Sequence, residues 1–481
     1  MRAEEALQKM ENLYNETGSP NLKPNHQCFV FCVDAWARSN HRDASKNAER
    51  ILNKMESLFL DDSIDENDRM NNFAYNILTS LWAKTGERGS SERIRDIIHR
   101  LTEISEQTNN EGLAPDKFTY TSLMRALVNE KAPGNLEKCI AVLDRMEEFA
   151  EKTGKESVMP DEMAYATIMN GYSKDGNVQK IESLIRRMKQ KKIHRTNMVY
   201  NILLNAIVKS KAQGVGERAE EIMRQMEQEA GDGNIDCCPS LVTYITYLKA
   251  LSRSHSPDKV TRATEVLEDI VQRFESGDET FRPGDRVLGS VLDVVAKSNE
   301  PRKVSMCLEL IDRMQREHGV TPNRVVHNIV LSACAHHIDP SNNMQLHQEV
   351  LKTAVSTFQL LSKDRSLGGP DSSSYRSLLF VVDNFIQDKE ERMASIEDLW
   401  NKCRRDGQVN QWVLQALFKV TGPHFWRLVG KDRRNAGIVR VEDLPFEWSK
   451  NAKVRESPAA SHYRHKKRRG APRREQQRSW R

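Results

Sequence analysis

The residues of this sequence best suited to metal or acid–base chemistry are a His-x-Glu triplet and two adjacent histidines. His347, Gln348 and Glu349 reproduce half of the motif with which a zinc deaminase holds its metal and moves protons, but no Cys-x-x-Cys pair follows them. His336 and His337 stand near Cys334, yet adjacent histidines point apart on a helix and no second ligand pair is nearby. The sequence therefore predicts no metal site.

Glycine-rich nucleotide-binding loops are also missing from the sequence. It contains neither G-x-x-x-x-G-K nor G-x-G-x-x-G, and Gly368-Gly369 simply precedes Pro370 in a turn. The residues after Trp400 read as helix, loop and tail, which leaves no room for an α/β nuclease domain. We therefore expect a protein that is not an enzyme and needs no cofactor.

The strongest concentration of charge is at the C-terminal end. The net charge of the 481 residues is +5, but residues 450–481 hold 12 Lys and Arg against 2 Asp and Glu, so the other 449 residues, with 61 against 66, are net negative by 5. A segment so basic and so poor in apolar residues is predicted to be disordered. Three interpretations are open. The segment could bind phosphates, with release of their counterions, it could be a run of the nuclear localisation kind, or it could be merely a solvated tail. The candidate phosphate-binding residues are Arg464, Lys466, Lys467, Arg468, Arg469, Arg473 and Arg474.

Composition narrows the class of fold. Hydrophobic residues make up 38% of the chain and charged residues 29%, which suits a thin helical architecture better than one large core. No run approaches the roughly 18 to 20 apolar residues of a membrane helix, so we expect no membrane partner. Eight scattered cysteines without a Cys-x-x-Cys pair indicate a reducing compartment.

An internal repeat organises the chain. Similar aromatic-led segments begin at Tyr75, Tyr120, Tyr165, Tyr200 and Tyr244. Weaker copies begin at Phe29, Leu288, His327 and Tyr375, and the intervals run from 35 to 48 residues. Within each copy the apolar positions recur three and four apart, which predicts a short helix with one buried face. The tyrosines are expected to pack between repeats rather than to stack on a ligand.

A second helix and a closing proline complete each unit. Segments such as VLDRM, ending at Met146, and LIRRM, ending at Met188, again place apolar residues on one helical face. A Pro and a small polar residue follow, as in Pro115-Asp116 and Pro160-Asp161, and these stop one helix and cap the next. Insertions between Met and Pro, as at residues 63–71 and 147–159, should be loops. Stacked hairpins of this kind predict an all-α, right-handed α-solenoid.

These residues resemble the pentatricopeptide repeat family. The starts TYTSL, VYNIL and VTYIT, the turns AKTG and SKDG, the Met that ends the second helix and the Pro-Asp before the next start carry the likeness over residues 25–405. The resemblance implies binding of single-stranded RNA with one base per repeat, at the residue after the tyrosine and the residue after the proline. The pairs that fit are Asn76 with Asp116, Thr121 with Asp161, Asn201 with Ser240 and Asn328 with Asp371.

By the family's pattern these four pairs look like readers of uracil, guanine, cytosine and uracil respectively. Four other pairs have an apolar residue or glycine at the first position and should be permissive; they are Val30 with Asn71, Ala166 with Thr196, Ile245 with Gly284, and Gly289 with Asn323. These departures leave a second function open, a protein-interaction scaffold within an organellar ribosome or RNA-processing complex. Each polar residue could also be an ordinary helix cap.

The ends of the chain complete the predicted organisation. We expect residues 1–24 to form the second helix of an incomplete repeat, 25–405 about eight to nine hairpins, 406–449 a capping helix with an extended segment, and 450–481 a disordered basic tail. A first hairpin that starts at its second helix indicates either a lost N-terminal part, which we favour, or a lone helix that caps the repeats. The family resemblance implies a mitochondrial or plastid location, and ribosomal or RNA-processing proteins as further partners.

Overall fold

The computed structural model describes residues 2–39, 41–59, 70–210, 212–337, 343–431 and 439–452, and these residues form helices and turns without a β-strand. They divide into two compact units, Met1–Ala250 and Leu251–Arg481. None of the described helices is long and apolar enough to cross a membrane. The all-helical architecture predicted from the sequence is confirmed.

Within the described residues of the first unit, twelve α-helices begin. They are α1 (Arg2–Thr17), α2 (His26–Arg38), α3 (Ala44–Phe59), α4 (Phe73–Thr85), α5 (Ser90–Gln107), α6 (Lys117–Glu130), α7 (Asn135–Thr153), α8 (Glu162–Lys174), α9 (Val178–Gln190), α10 (Asn197–Lys209), α11 (Val215–Gly231) and α12 (Leu241–Leu251). From α2 onward the even-numbered helices are the first helices of the repeats and the odd-numbered helices are the second helices.

Hairpins stack through both layers of the first unit. The first helices pack on one another in series, α4 on α6, α6 on α8 and α8 on α10, while each second helix packs on the next first helix, as α5 does on α6. The predicted apolar face is buried, because Leu78 and Ile168 are fully inaccessible. Tyr75, Tyr165, Tyr200 and Tyr244 are buried as predicted, whereas Tyr120 is half-buried.

The second unit repeats this arrangement. Its helices are α13 (Lys259–Glu275), α14 (Asp285–Ala296), α15 (Lys303–His318), α16 (Arg324–Ala335), α17 (Met344–Lys363), α18 (Ser372–Phe385), α19 (Lys389–Arg405), α20 (Gln411–Thr421) and α21 (Phe425–Val429). Here α14, α16, α18 and α20 form the series of first helices. The segment before residue 453 folds back on α19, where Trp448 meets Trp400 edge to face at 5.6 Å between ring centroids.

The predicted loop at one insertion is wrong. Residues 147–153, which follow Met146, continue α7 to Thr153 instead of leaving the helix, and a short 3-10 turn, Glu156–Val158, then leads to Pro160. The segment is rich in Glu, Ala and Lys, which favour helix, so the second helix is lengthened by about two turns. Residues 63–69 of the other insertion, which spans residues 63–71, lie outside the described residues.

Candidate nucleic-acid interface

Asn76 and Asp116 meet where α4 packs on α6. Asp116 is the N-cap of α6, and its Oδ1 accepts hydrogen bonds from the backbone N–H groups of Phe118 and Thr119 at 3.0 Å each. Asn76 lies in the first turn of α4, and its Nδ2 donates to Asp116 Oδ2 at 2.9 Å. The two residues are forty positions apart in sequence, and stacking of successive first helices joins them.

Two further side chains complete a ring of hydrogen bonds around this pair. The amide of Asn72, at the start of α4, donates to Asp116 Oδ2 at 3.0 Å. The hydroxyl of Thr119 donates to Asn76 Oδ1 at 2.7 Å. Sequence reasoning missed both residues, because neither stands at a position that the family resemblance marks.

Asn328 and Asp371 form a second copy of the same arrangement, in the second unit. Asp371 is the N-cap of α18, and Asn328 Nδ2 on α16 donates to its Oδ1 at 3.1 Å. The hydroxyl of Ser374 donates to Asn328 Oδ1 at 2.6 Å. Arg324 takes the place of Asn72, with Nε 3.7 Å from Asp371 Oδ2 and Nη1 donating to the carbonyl of Gly368 at 3.0 Å.

The Thr121 and Asp161 pair is not joined by a hydrogen bond within the described residues. Thr121 is only 7% exposed. Asp161 caps α8 by accepting from the Ala164 N–H at 3.1 Å, and Lys117 lies 3.7 Å from its Oδ2. The geometry that joins Asn76 to Asp116 is therefore absent from this pair.

The Asn201 and Ser240 pair also differs from the two Asn–Asp pairs. The Ser240 hydroxyl lies 3.1 Å from the hydroxyl of Thr243, the residue that corresponds to Thr119 and Ser374. Across the part of the chain that the structure describes, Asn201 Oδ1 is buried and has no hydrogen-bond partner. The amide of Asn201 is thus held less completely than those of Asn76 and Asn328.

At two of the pairs predicted to be permissive, the cap residue forms hydrogen bonds with another side chain of the protein. Thr196 caps α10, and its backbone N–H and hydroxyl both donate to Glu162 Oε1, at 2.7 and 2.8 Å. The Asn323 amide donates to Asp285. Ala166 and Ile245 are buried, so neither presents a surface for a ligand to read.

The cap of α4 is shifted slightly from the predicted register. Asn72 directly precedes the helix. The side chain that caps it is nevertheless that of Asn71, whose Oδ1 accepts a hydrogen bond from the Phe73 N–H at 3.1 Å. Asn71, the residue predicted to pair with Val30, is therefore engaged with its own helix.

Exposed apolar side chains stand two residues after six of the caps in the described part of the chain. Phe118, two residues after Asp116, is 60% exposed, and its position lies beside the capped turn that holds Asn76. Sequence reasoning missed this series; its signal is an apolar residue out of phase with the buried face. The members are Phe73, Phe118, Met163 and Val242 in the first unit, and Val325 and Trp412 in the second unit.

Lysines near the C-terminal ends of successive first helices form a cationic group in the first unit. Burial lowers the pKa of Lys174, at the end of α8, and the positive charges of Lys131 and Lys209 lower it further. These two lysines belong to the ends of α6 and α10, and each lies close enough to Lys174 for its charge to act on that ammonium group. Such a group favours binding of an anion. The predicted phosphate-binding residues of the tail, residues 464–474, lie outside the described residues.

The buried tyrosines are bound to acids rather than open to a ligand. Tyr75 donates to Glu56 and Tyr165 to Glu147, and burial raises the pKa of both phenols. Burial also raises the pKa of the Cys139 thiol to about 12, which leaves it without thiolate character near neutral pH. No group of His, Cys, Asp and Glu among the described residues has the geometry to hold a metal ion.

Comparison with known proteins adds a family match and several structural matches. Residues 160–209, which span α8, α9 and α10, match the PPR repeat family. No curated protein matches the chain. The crystal structure of the pentatricopeptide repeat protein PPR10 from maize is 18% identical, with 86% of this chain and 59% of that chain covered and a TM-score of 0.35.

Some of the matching structures contain RNA. PPR10 in complex with an 18-nt psaJ RNA element is 17% identical, with 98% of this chain and 72% of that chain covered and a TM-score of 0.36. Yeast Rmd9p in complex with a 16-nt target RNA is 10% identical, with 84% of this chain and 92% of that chain covered and a TM-score of 0.34. These scores are low, so the fold described above rests on the helices of this chain itself.

Proposed function

We propose that this pentatricopeptide repeat protein binds single-stranded RNA without catalysis and reads individual bases at the junctions between its first helices. The observation that carries the proposal is the pair of equivalent Asn–Asp contacts, Asn76 with Asp116 and Asn328 with Asp371. Each lies at a register that the family resemblance assigns to base reading. A single polar contact could be a helix cap alone, but the same contacts among asparagine, aspartate and hydroxyl side chains occur in both units.

The chemistry of an unpaired base fits the groups gathered at each junction. A base offers a polar edge, which amides can hydrogen-bond, and a flat face, which apolar or aromatic side chains can cover. Asn76 supplies the amide beside the first junction, and Phe73 and Phe118 supply exposed aromatic faces near it. Lys131, Lys174 and Lys209 supply positive charge for phosphates on a body that is net negative.

The role in the cell belongs to the same proposal. Holding a transcript single-stranded would block nucleases or expose a site for processing, editing or translation. The PPR repeat match at residues 160–209 supports an organellar location, in mitochondria or plastids, as for the family in general. The structures of PPR10 and Rmd9p with RNA are of other proteins, and this chain covers 59% of the maize protein in the unliganded crystal structure.

A scaffold function is the second candidate, because several junctions present no reading group. Ala166 and Ile245 are buried, and Gly289 has no side chain. A solenoid of this kind could bind proteins of a ribosome or an RNA-processing complex instead. Pull-downs from organelle extract with and without ribonuclease separate the two candidates, because partners of a scaffold survive the nuclease and partners bridged by RNA do not.

Direct binding to labelled RNA tests the main proposal. The full chain is expected to bind single-stranded oligo(U) and to bind double-stranded RNA of the same length far less tightly. Deletion of residues 450–481 should weaken binding and flatten its salt dependence, and replacement of Lys131, Lys174 and Lys209 by alanine should lower the salt slope further. Equal affinity for single and double strands would contradict the proposal.

A further inference from the structure

A buried hydroxyl stands three residues after the cap at each junction that pairs asparagine with aspartate. Thr119 and Ser374 are both 0% exposed, so neither can touch an RNA directly. The acceptor nearest to each hydroxyl is nevertheless the Oδ1 of the asparagine of the preceding first helix, at 2.7 and 2.6 Å, whereas Oδ1 of the cap aspartate lies 3.0 and 3.2 Å away. The contact joins residues 43 and 46 positions apart.

The orientation of an asparagine amide decides what it can read. Oδ1 accepts and Nδ2 donates, yet the two ends have nearly the same size and shape, so a free amide can turn over. Uracil carries a hydrogen on ring nitrogen N3 and cytosine carries a lone pair there. An amide that presents Oδ1 to N3 therefore pairs with uracil, and the same amide turned over pairs with cytosine.

Each ring of hydrogen bonds recognises both ends of its amide. A carboxylate only accepts, so Asp116 and Asp371 select the Nδ2 end. The hydroxyl of Thr119 also accepts from the Asp116 backbone N–H at 3.3 Å, and that of Ser374 from the Asp371 N–H at 3.1 Å, which aims the proton of each hydroxyl away from that N–H group. The Oδ1 end is thus selected by a donor and the Nδ2 end by an acceptor.

We propose that Thr119 and Ser374 are positioning residues that fix the orientation of the Asn76 and Asn328 amides and thereby set which pyrimidine those junctions prefer. The inference rests on the proposed function, since it deepens the specificity of the same junctions. One N–H of Nδ2 and one lone pair of Oδ1 are left for a base. The fixed order of these groups makes the two junctions discriminate between uracil and cytosine.

Asn201 is the natural contrast within the same chain. Thr243 stands at the position of Thr119 and is also 0% exposed, but its hydroxyl lies against the Ser240 hydroxyl and accepts from the Ser240 N–H at 3.0 Å. Within the described residues Asn201 Oδ1 lacks a hydrogen-bond partner. This junction therefore has the hydroxyl without the amide contact, and its pyrimidine preference should not depend on Thr243.

The test compares Thr119→Val, Ser374→Ala and the control Thr243→Val in the full chain. Valine keeps the shape of threonine and loses the hydroxyl, and Thr119→Val and Thr243→Val each lose one hydrogen bond to the N–H of a cap residue, so the control matches the structural cost. Affinities for oligo(U) and oligo(C) are measured for each variant, with thermal melting to follow folding. Thr119→Ser keeps the hydroxyl and loses only a methyl group, so it is the conservative variant that should behave as the wild type.

We expect the ratio of oligo(U) to oligo(C) affinity to fall between about twofold and tenfold in Thr119→Val and in Ser374→Ala, the equivalent of one net hydrogen bond. Thr243→Val and Thr119→Ser should keep the wild-type ratio. If the wild type binds RNA and neither variant changes the ratio, the positioning role is wrong while the proposed function stands. An equal fall in Thr243→Val also overturns the inference, and absence of RNA binding by the wild type overturns both.

Ser374→Ala keeps the inference falsifiable if Thr119→Val does not fold. It removes a single oxygen atom from the second unit, so its affinity ratio can be measured independently. A ratio for Ser374→Ala equal to that of the wild type would then be sufficient to reject the proposal.

Discussion

Two junctions between successive first helices of the first unit share the same helix packing but differ in the polar side chains at the contact. At the Asn76 junction, where α4 meets α6, Asn72, Asn76, Asp116 and Thr119 form a ring that leaves part of an amide for a ligand. At the Ala166 junction, where α8 meets α10, the first-turn residue is apolar and Glu162 takes both donors of Thr196. Stacking alone therefore does not create a reading site, because the residue types at the contact decide whether hydrogen-bonding groups remain open.

The Ala166 junction instead adjoins ion pairs that are partly buried. Glu147 on α7 accepts from Tyr165 and lies 3.0 Å from Arg187, which also pairs with Asp144 at 2.6 Å. On α11, Glu229 lies 2.5 Å from Lys189 and 3.2 Å from Arg195, and it accepts from Tyr200 at 2.6 Å. Ion pairs thus join successive helices beside the Ala166 junction, whereas the Asn76 junction holds the amide that we propose to contact a base.

The largest expected effect is on folding stability at the Ala166 junction. Glu147→Ala removes the buried carboxylate that pairs with Arg187 and accepts from Tyr165, so we expect the free energy of unfolding to fall by about 3 kcal/mol. Chemical denaturation measures this change, and Glu148→Ala, on the exposed face of the same helix, is the control. The comparison would fail if Glu147→Ala changed base preference without changing stability.

The next effect separates capping from reading. Asp116→Ala and Thr196→Ala each remove an N-cap, and we expect each to cost about 1 kcal/mol of stability. Only Asp116→Ala should also lose preference for uracil over cytosine, because only Asp116 holds an open amide, and a bidentate contact is worth about 1–3 kcal/mol of discrimination. RNA titrations of both variants check this. Equal losses of preference would show that the two junctions do not differ.

Transferring the residue types of the Asn76 junction to the Ala166 junction should produce a smaller effect, a gain in base preference. Glu162→Asn, Ala166→Asn, Thr196→Asp and Val199→Thr together place at the Ala166 junction the residue types found at positions 72, 76, 116 and 119. We expect uracil preference at the facing nucleotide to rise by about threefold, the worth of part of one hydrogen bond. A graft that omits Val199→Thr is the matched control. A folded graft that stays indifferent to the base would contradict the chemical account.

Whether a feature of this structure can be predicted from the sequence depends on how far apart in the chain the interacting residues lie. The helices, their caps and the burial of Tyr75 and Tyr165 are local or periodic, so spacing predicts them. The register of Asn76 and Asp116 came from the family resemblance. The role of Thr119 is not visible in sequence, because its hydroxyl lies nearer to Asn76 Oδ1 on the preceding first helix, at 2.7 Å, than to Asp116 Oδ1 in its own capped turn, at 3.0 Å.

Buried lysines are another feature that the sequence does not reveal. Lys259 and Lys303 begin second helices of the second unit, where lysine usually faces solvent. Their ammonium groups instead donate to the carbonyls of Lys297, at 2.9 Å, and His336, at 2.6 Å, near the ends of the following first helices, and burial lowers both pKa values. The long flexible side chain can reach a neighbouring repeat, and no spacing rule anticipates this.

The smallest expected effect is a pH dependence of stability beside the Ala166 junction. Burial acts to raise the pKa of Glu229, but hydrogen bonds from Lys189 and Tyr200 and the charges of Lys189 and Arg195 outweigh it, and the pKa is about 2 instead of 4.5. Since the folded pKa is depressed, the carboxylate stabilises the fold above pH 4.5, and this contribution is lost as the pH falls toward 2.

Glu229→Gln removes that contribution. The difference in unfolding free energy between the wild type and Glu229→Gln should therefore be greatest above pH 4.5 and shrink toward pH 2, as denaturant titrations over this range would show. RNA base preference should be unchanged by this variant at neutral pH. A stability difference that is independent of pH would mean that Glu229 is not held ionised by its partners.

The central claim is that the chain reads bases through its two Asn–Asp junctions, and selection of bound RNA from a random-sequence pool tests it most directly. With one nucleotide per repeat, the purified full chain should enrich RNAs with uracil opposite Asn76 and again, six repeats further along, opposite Asn328, and with no preference opposite Ala166. Asn76→Ala and Asn328→Ala should each erase one of the two uracil positions. Enrichment without any positional preference, or a preference that both alanine variants retain, would contradict the account.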